Sequence, residues 1–317
     1  MVFKRISRAL RRELGSYQFL IIVDVSDCFN PGSRETIALD NRSRAYQVTN
    51  EDQPAMIRHA LGLRLDSSRP VRDQIHEAAR MGARGVVLEA IGDLSPLRLS
   101  ETGRRELRHL LLTMELSLVA LSLPTRRSFD TTDQLDDRIR RADLAFALAY
   151  ELGTNLVLAR VGQVPPEDDR ERREAFTGAI SSLGQRADHR GVRLALETGS
   201  EPGQRLKTFL DSLDMVSLAA SVDPASLLRG GIDPVATSRE LSTWVAHAYA
   251  GDATGSAGGA APNPRGLGFP AGALDWEEYL GALEEIGYRG FLTVWPDPSE
   301  DPRVRFTTLA LWFKRFG

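Results

Sequence analysis

Cysteine is almost missing from this sequence of 317 residues, in which Cys28 is the only one. A single cysteine cannot form a disulfide within the chain or a thiolate metal cluster, which fits a reducing compartment without requiring one. Long hydrophobic runs are missing too, since no segment approaches the roughly 18 apolar residues of a membrane span. We therefore expect a cytoplasmic protein without a membrane partner.

Excess positive charge is a third absence. The formal net charge is −3 at pH 7 and the isoelectric point is about 6.0. Such a chain has no general electrostatic attraction to nucleic acid or to an anionic membrane, which argues against enzymes that handle DNA. We expect no nucleic-acid partner.

The composition that remains is ordinary for a globular protein, with 42% hydrophobic and 26% charged residues. From Leu61 onward, strand-like and helix-like segments alternate, which is the pattern of βα units around a parallel sheet. We therefore predict a single (β/α)₈ TIM barrel over residues 61–317, preceded by an N-terminal extension over residues 1–60 that does not follow the repeat. The eight predicted strands are Leu61–Leu65, Gly85–Glu89, Leu116–Leu121, Asn155–Ala159, Arg193–Glu197, Val216–Val222, Trp244–Ala250 and Gly290–Val294. Helices are predicted from Pro70 to Met81, from Asp133 to Leu152 and from Pro166 to Arg190, each followed by a glycine that suits a helix C-terminus, and Asp275 is a predicted N-cap.

The strand Arg193–Glu197 closes on an acid, and Asp223 directly follows the strand Val216–Val222. Strand alternation places Glu197 on the same face as Ala195 and Arg193, with leucines on the other face, and this assigns it to the barrel interior. The same test places Asp223 inside. Two inward carboxylates on neighbouring strands repel each other unless a cation lies between them or one takes up a proton. A divalent metal is the simplest cation for oxygen ligands, and an inward arginine such as Arg64 or Arg193 is the alternative.

Several short motifs, taken in their order and spacing, resemble the xylose-isomerase-like TIM-barrel family of sugar phosphate isomerases and epimerases, which also includes the endonuclease IV enzymes. The resemblance covers about Leu61 to the end of the chain. The motifs are Leu194-Ala195-Leu196-Glu197, Ser221-Val222-Asp223-Pro224, His247-Ala248-Tyr249-Ala250-Gly251-Asp252, Leu267-Gly268 with Leu274-Asp275-Trp276, and Ile286-Gly287-Tyr288-Arg289-Gly290-Phe291.

The resemblance implies a divalent metal, namely Mn, Mg, Co or Zn, held by a Glu after strand five, an Asp after strand six, a His after strand seven and a Glu after strand eight. The first two metal ligands are present as Glu197 and Asp223. The other two positions hold Tyr249 and Trp295. His247 matches a histidine that precedes the family's metal-binding histidine by two residues.

The activity that the resemblance implies is the movement of a proton next to a carbonyl, with the metal stabilising the enediolate and two glutamates acting as acid and base. Glu197 is then the candidate catalytic residue, but its partner glutamate is replaced by Trp295. Asp297 lies two residues further on and is a candidate replacement ligand. Tyr249 and Trp295 offer aromatic faces that suit stacking against a sugar ring, or else they fill a site that has lost its metal.

The candidate substrate contacts are Tyr249, Trp295, His247 and Arg265, the last in a loop over residues 251–272 that is rich in Gly, Ala and Pro. The leading hypothesis is a sugar or polyol isomerase or epimerase. The alternative is a non-catalytic sugar-binding or scaffold protein that kept the barrel and lost the metal. An endonuclease IV-like DNA repair enzyme is the least expected function, because the remaining histidines cannot supply the zinc cluster of that branch. The sequence does not determine the substrate or the oligomeric state.

Overall fold

A computed structural model describes residues 59–199, 201–252, 274–295 and 302–316, together with three short strands before residue 59. The chain divides into two compact units. The smaller comprises Met1–Met56 with Phe316–Gly317, and the larger comprises Ile57–Arg315.

In the smaller unit, the described residues form a three-stranded antiparallel sheet. Its strands are β1 (Ile21–Asp24), β2 (Thr36–Leu39) and β3 (Ala45–Gln47), with β2 in the centre. Antiparallel pairing contrasts with the parallel βα repeat that follows. That residues 1–60 form a separate N-terminal extension stays a prediction.

The larger unit is a closed barrel of eight parallel strands. Consecutive strands are neighbours all round, and the barrel closes where the last strand pairs with the first, Leu292 opposite Leu61. All eight predicted strands are present, with ends within two residues of the predicted ones, so the predicted fold is confirmed. They are β4 (Leu61–Arg64), β5 (Gly85–Glu89), β6 (Ser117–Leu123), β7 (Leu156–Ala159), β8 (Arg193–Glu197), β9 (Leu218–Val222), β10 (Val245–Tyr249) and β11 (Leu292–Val294).

Helices follow the barrel strands. The described α-helices are α1 (Val71–Met81), α2 (Glu101–Thr113), α3 (Leu135–Leu152), α4 (Arg170–His189), α5 (Gly203–Leu213), α6 (Pro224–Arg229), α7 (Pro234–Leu241), α8 (Trp276–Glu285) and α9 (Pro302–Phe316). None of the helices in the described part of the chain is long and apolar enough to cross a membrane. The cytoplasmic location stays a prediction.

Local sequence signals explain where several helices begin and end. Gly82 and Gly153 adopt φ angles of 85° and 92°, the left-handed conformation that glycine adopts without steric cost, and they end α1 and α3 as predicted. At the start of α8, the side chain of Asp275 accepts a hydrogen bond from the backbone N–H of Glu278, again as predicted.

Small and branched side chains fill the barrel interior below the C-terminal ends of the strands. Ala195 and Ala219 pack in one buried cluster with Val87, Leu158 and Tyr249. This packing confirms the inward face assigned by strand alternation to β8 and β9. The last residues of several strands therefore project into the C-terminal mouth, where barrels of this kind keep their functional residues.

Candidate active site at the barrel mouth

An arginine occupies the centre of the mouth. Arg64, the last residue of β4, donates hydrogen bonds from Nε and Nη2 to Oε1 of Glu89, at 3.2 and 2.7 Å. Its Nη1 donates to Oε1 of Glu197 at 3.2 Å and to the hydroxyl of Tyr249 at 2.6 Å. A further bond runs from Nη2 to Ser122 Oγ, at 3.0 Å. Since a guanidinium has five N–H groups, every donor of Arg64 is used.

Aromatic rings cover this guanidinium. The Cζ atom of Arg64 lies 3.7 Å from the ring centroid of Trp295, and the rings of Trp295 and Tyr249 are 5.3 Å apart. A desolvated contact of this kind contributes about 2 kcal/mol. Burial lowers the pKa of Arg64, but the groups on Tyr249, Glu197 and Glu89 outweigh it and raise the pKa above its ordinary value. Arg64 is therefore a permanent buried cation.

The two predicted carboxylates lie on either side of a second arginine. The side chains of Glu197 and Asp223 are 5% and 3% exposed. Arg160, which follows β7, places Nε 3.8 Å from Oε2 of Glu197 and Nη2 3.8 Å from Oδ2 of Asp223. These distances are longer than hydrogen bonds, and the Arg160 side chain is 55% exposed. The inward cation left open by the sequence is thus arginine in this structure.

Asp223 also caps the helix that follows it in the chain. Its Oδ1 accepts a hydrogen bond from the backbone N–H of Ser226 at 3.1 Å, and its Oδ2 accepts one from the Ser226 hydroxyl at 2.5 Å. These bonds cap α6. The position three residues after Asp223, where the family resemblance implies a substrate-binding histidine, is therefore a serine that donates to the capping Asp223.

Tyr249 connects the arginine to the acid. Its hydroxyl accepts from Arg64 and donates to Oε1 of Glu197 at 2.9 Å. Burial, together with the charge of Glu197, raises the pKa of Tyr249 well above its ordinary value. The side chain is consequently a neutral phenol that packs in the core, and its ring has no exposed surface on which a sugar could stack.

His247 lies one layer deeper and is fully buried. Its Nδ1 is 2.9 Å from the Ser221 hydroxyl and its Nε2 is 2.9 Å from the Thr293 hydroxyl, while its ring meets Tyr249 edge-on. Burial, followed by the charge of Arg64, lowers the pKa of His247 to about 3. Both nitrogens are engaged beneath the site, an arrangement that does not favour His247 as a substrate contact.

This buried histidine predicts a pH dependence of stability. Because the pKa of His247 falls from 6.5 to about 3 on folding, the unfolded chain binds the proton first. The contribution of His247 to stability therefore decreases as pH falls below about 6.5, by up to about 1.4 kcal/mol per pH unit. The destabilisation caused by His247→Asn should shrink by about 2 kcal/mol in total in urea unfolding between pH 7 and 5, most of it below pH 6.5. His109→Asn, on the exposed surface of α2, is the control. An effect of His247→Asn that does not change with pH would refute this prediction.

Another buried acid, Glu201, lies on the connection that follows β8 and contacts the connection that follows β7. Glu201 accepts hydrogen bonds from the backbone N–H of Val164, at 3.3 Å to Oε1 and 3.1 Å to Oε2. Burial raises the pKa of Glu201 to about 7, although Val164 and Arg205 oppose the shift. The folded state therefore binds this proton more readily than the unfolded chain, and its stabilisation is lost as pH rises through 7. Its effect on the pH dependence of stability is opposite to that of His247. Because Glu201 is present in the wild type and in both histidine variants, its effect cancels when their free energies of unfolding are compared.

The described residues at the barrel mouth do not fit a divalent metal. One oxygen of Glu197 already accepts two hydrogen bonds, from Arg64 and Tyr249. The third family position is the neutral phenol of Tyr249, and the fourth is the indole of Trp295, which has no oxygen to offer. Within the described ranges, no group of three or more His, Cys, Asp or Glu side chains could hold a metal ion. A guanidinium already supplies the positive charge that two inward carboxylates require.

The predicted and the observed site residues differ at several positions. Arg265 and Asp297 lie outside the described residues. Among the described residues, Arg193 donates a hydrogen bond from Nη2 to the carbonyl of Leu218, at 3.5 Å, and its buried Nε has no hydrogen-bond partner there. Sequence reasoning missed Glu89 as a site residue, although its strand closes on an acid just as β8 does. It also missed Arg160, which directly follows a strand but carries no motif.

The family model described as xylose isomerase-like TIM barrel matches residues 75–315. No curated protein sequence matches the chain.

Similar solved structures cover four fifths of the chain. A xylose isomerase domain protein from Planctomyces limnophilus is 18% identical, with a TM-score of 0.67 over 81% of this chain and 95% of the other. A D-psicose 3-epimerase with D-tagatose from Clostridium cellulolyticum H10 is 15% identical, with a TM-score of 0.64 over 81% and 98%. A D-allulose 3-epimerase from Methylomonas sp. in complex with D-allulose is 19% identical, with a TM-score of 0.60 over 80% and 90%. At these identities the similarity shows the fold.

Proposed function

We propose that this chain, which belongs to the xylose isomerase-like TIM barrel family, binds a sugar or polyol at the barrel mouth and uses the guanidinium of Arg64 where the family uses a metal. The observation that carries the proposal is the set of five hydrogen bonds by which Arg64 joins Glu89, Glu197, Tyr249 and Ser122. The likeness to solved sugar epimerases supports a sugar-like ligand.

The same hydrogen bonds bear on catalysis. A proton transfer next to a carbonyl needs an electrophile free to contact the carbonyl oxygen, and every N–H of Arg64 is already used. At the position of the family's second glutamate this chain has Trp295, and an indole cannot accept a proton from carbon. Glu197 remains as a single candidate acid or base, held by Arg64 and Tyr249. We therefore favour a sugar-binding protein over an isomerase.

One observation favours a metal-dependent isomerase or epimerase as the second candidate. Arg160 is more than half exposed and lies 3.8 Å from both Glu197 and Asp223, too far for hydrogen bonds. If the Arg160 side chain rotates away from the two acids, a carboxylate oxygen of each becomes accessible to Mn, Mg, Co or Zn. This candidate still requires a cation to bind beside the fixed charge of Arg64, and it needs further ligands from outside the described residues, such as Asp297.

Binding and proton exchange distinguish the two candidates. Isothermal titration with pentoses, hexoses, inositols and their phosphates should give saturable binding. NMR in D₂O should show no deuterium entering the bound sugar, with or without added Mn, Mg, Co or Zn. Deuterium incorporation that is lost in Glu197→Gln would establish the isomerase instead. A panel without any saturable binding would overturn the proposed function.

Trp295 provides a spectroscopic signal for this binding, because its indole is half-buried beside Arg64. A sugar at the mouth should quench tryptophan fluorescence saturably, and Trp295→Phe should remove the change, with Trp244, Trp276 and Trp312 left in place. Stacking on Trp295 contributes about 0.5–1.5 kcal/mol beyond burial, so Trp295→Phe should weaken binding by less than about tenfold. A quench that persists in Trp295→Phe would place the sugar away from this residue.

A further inference from the structure

A cavity of about 300 Å³ opens beside the Arg64 cluster. One wall is the connection after β4, from Leu65 to Val71, and the other is the end of β5 with the residues that follow it, from Leu88 to Leu94. Both connections leave the C-terminal ends of their strands, on the functional side of the barrel. The volume lies at the lower end of the range for small-molecule sites, about 300–1,000 Å³, and suits a ligand of one sugar ring.

The first wall is held in place by hydrogen bonds. The buried side chain of Gln74 accepts from the backbone N–H of Asp66 at 2.9 Å, and donates to the carbonyls of Asp66 at 2.7 Å and Arg69 at 3.1 Å. Ser68 donates its N–H and its hydroxyl to the two carboxylate oxygens of Asp66, each at 2.8 Å. These bonds from Ser68 lower the pKa of Asp66. The wall is therefore ordered before a ligand arrives, and it carries a negative charge.

At the inner end of the cavity, one carboxylate oxygen of Glu89 is available as a hydrogen-bond acceptor. Glu89 lines the cavity, and both hydrogen bonds that it receives from Arg64 end on Oε1. Its Oε2 has no hydrogen-bond partner among the described residues, and the side chain is 16% exposed. A carboxylate oxygen in this position accepts a bond from a hydroxyl or, more strongly, from a protonated amine.

The charges around the cavity and the mouth are negative on balance. Two charged side chains of the walls pair with residues outside the cavity: Arg69 with Glu77 at 2.8 Å, an acid that also binds Arg303, and Asp93 with Arg98 at 2.9 Å. With the Asp93–Arg98 pair set aside, the described charges are four guanidinium groups and five carboxylates. The guanidinium groups are on Arg64, Arg69, Arg160 and Arg303, and the carboxylates are on Asp66, Glu77, Glu89, Glu197 and Asp223. An excess of carboxylates disfavours a ligand that brings a phosphate or a carboxylate.

We infer that this cavity is a binding subsite for a sugar or polyol without an anionic group, with Glu89 as its hydrogen-bond acceptor and with tighter binding when the ligand carries a protonated amine. The inference rests on the proposed function, since it assigns a place and a charge class to the sugar-like ligand proposed above.

Three matched probes test the charge class by isothermal titration: glucose, glucosamine and glucose 6-phosphate, each followed by the corresponding inositol or pentose derivatives. Amine-bearing ligands should bind about tenfold tighter than their neutral counterparts, and phosphorylated ones at least about tenfold more weakly. In Glu89→Gln, the preference for the amine should fall to within about threefold.

A second pair of variants tests the place without changing any charge. Leu94→Trp fills the cavity from its outer wall and should weaken binding of every probe by at least about tenfold. Leu97→Trp, three residues along the same connection, does not line the cavity and is 79% exposed, so it should leave binding unchanged. Binding by Leu94→Trp at wild-type affinity, or a preference for phosphorylated ligands, would overturn the inference and leave the proposed function intact. If the wild-type protein binds no sugar or polyol, it is the proposed function that fails.

Discussion

Replacement of Arg64 by methionine should lower the free energy of unfolding by about 3–5 kcal/mol at pH 7. The guanidinium is 5% exposed and pairs with Glu89 and with Glu197, which is itself 5% exposed. Without the cation, two largely buried carboxylates keep their desolvation cost and lose the charge that offsets it. Urea unfolding of the wild-type protein and Arg64→Met measures the difference.

Two further variants test that explanation against a simple packing defect. Arg160→Met removes an arginine that contacts Glu197 and Asp223 only at 3.8 Å from an exposed position, so it should cost less than about 1 kcal/mol. Glu197→Gln in the Arg64→Met background should recover at least about 1 kcal/mol, because it removes one of the unpaired charges. If Arg64→Met and Arg160→Met cost the same, Arg64 does not have the central role assigned to it.

The other large effect concerns metal binding. Tyr249→His and Trp295→Glu together supply the two ligand types that the family resemblance implies beside Glu197 and Asp223. With Arg64 in place, this double variant should still not bind a divalent metal, because the guanidinium holds Glu197 and repels a second cation. Addition of Arg64→Ala should tighten the binding of Mn²⁺ or Zn²⁺ by about 100-fold or more.

Calorimetric titration of the double and triple variants measures the change, and circular dichroism shows whether both retain the barrel. Arg160→Ala in place of Arg64→Ala is the matched control and should not produce the same gain. A double variant that already binds metal tightly would show that Arg64 does not block the site. Equal weak binding by both folded variants would show that the four positions do not form a site at all.

Much of the fold could be predicted because the strands combine two independent signals, a run of apolar residues and a turn on each side. Helix starts were less predictable. The helix predicted from Pro166 begins at Arg170, where Asp169 provides the cap, and the one predicted from Asp133 begins at Leu135, after Gln134 with a φ of 52°. A positive φ at glutamine has no sequence signature, since it depends on how the connection packs.

The central arginine was among the alternatives, but the sequence did not select it. Arg64 and Arg193 both share the inward face, and their depth in the barrel separates them. Arg193 begins β8, about 13 Å by strand rise from Glu197 at the other end, whereas Arg64 ends β4 at the level of the acids. This part was predictable from strand length. The contact between Arg64 and Trp295 was not, because it depends on the closure of β11 against β4 across most of the chain.

If the guanidinium of Arg64 takes the place of the metal, as proposed above, the wild-type protein should not bind a divalent metal, and metal titration measures this. The purified protein is freed of metal and titrated with Mn²⁺, Mg²⁺, Co²⁺ and Zn²⁺, with elemental analysis after dialysis and with Glu197→Gln alongside. We predict no saturable heat up to millimolar metal and no stoichiometric retention in either protein. One equivalent of metal bound by the wild-type protein and lost in Glu197→Gln would show that Arg64 does not take the place of the metal.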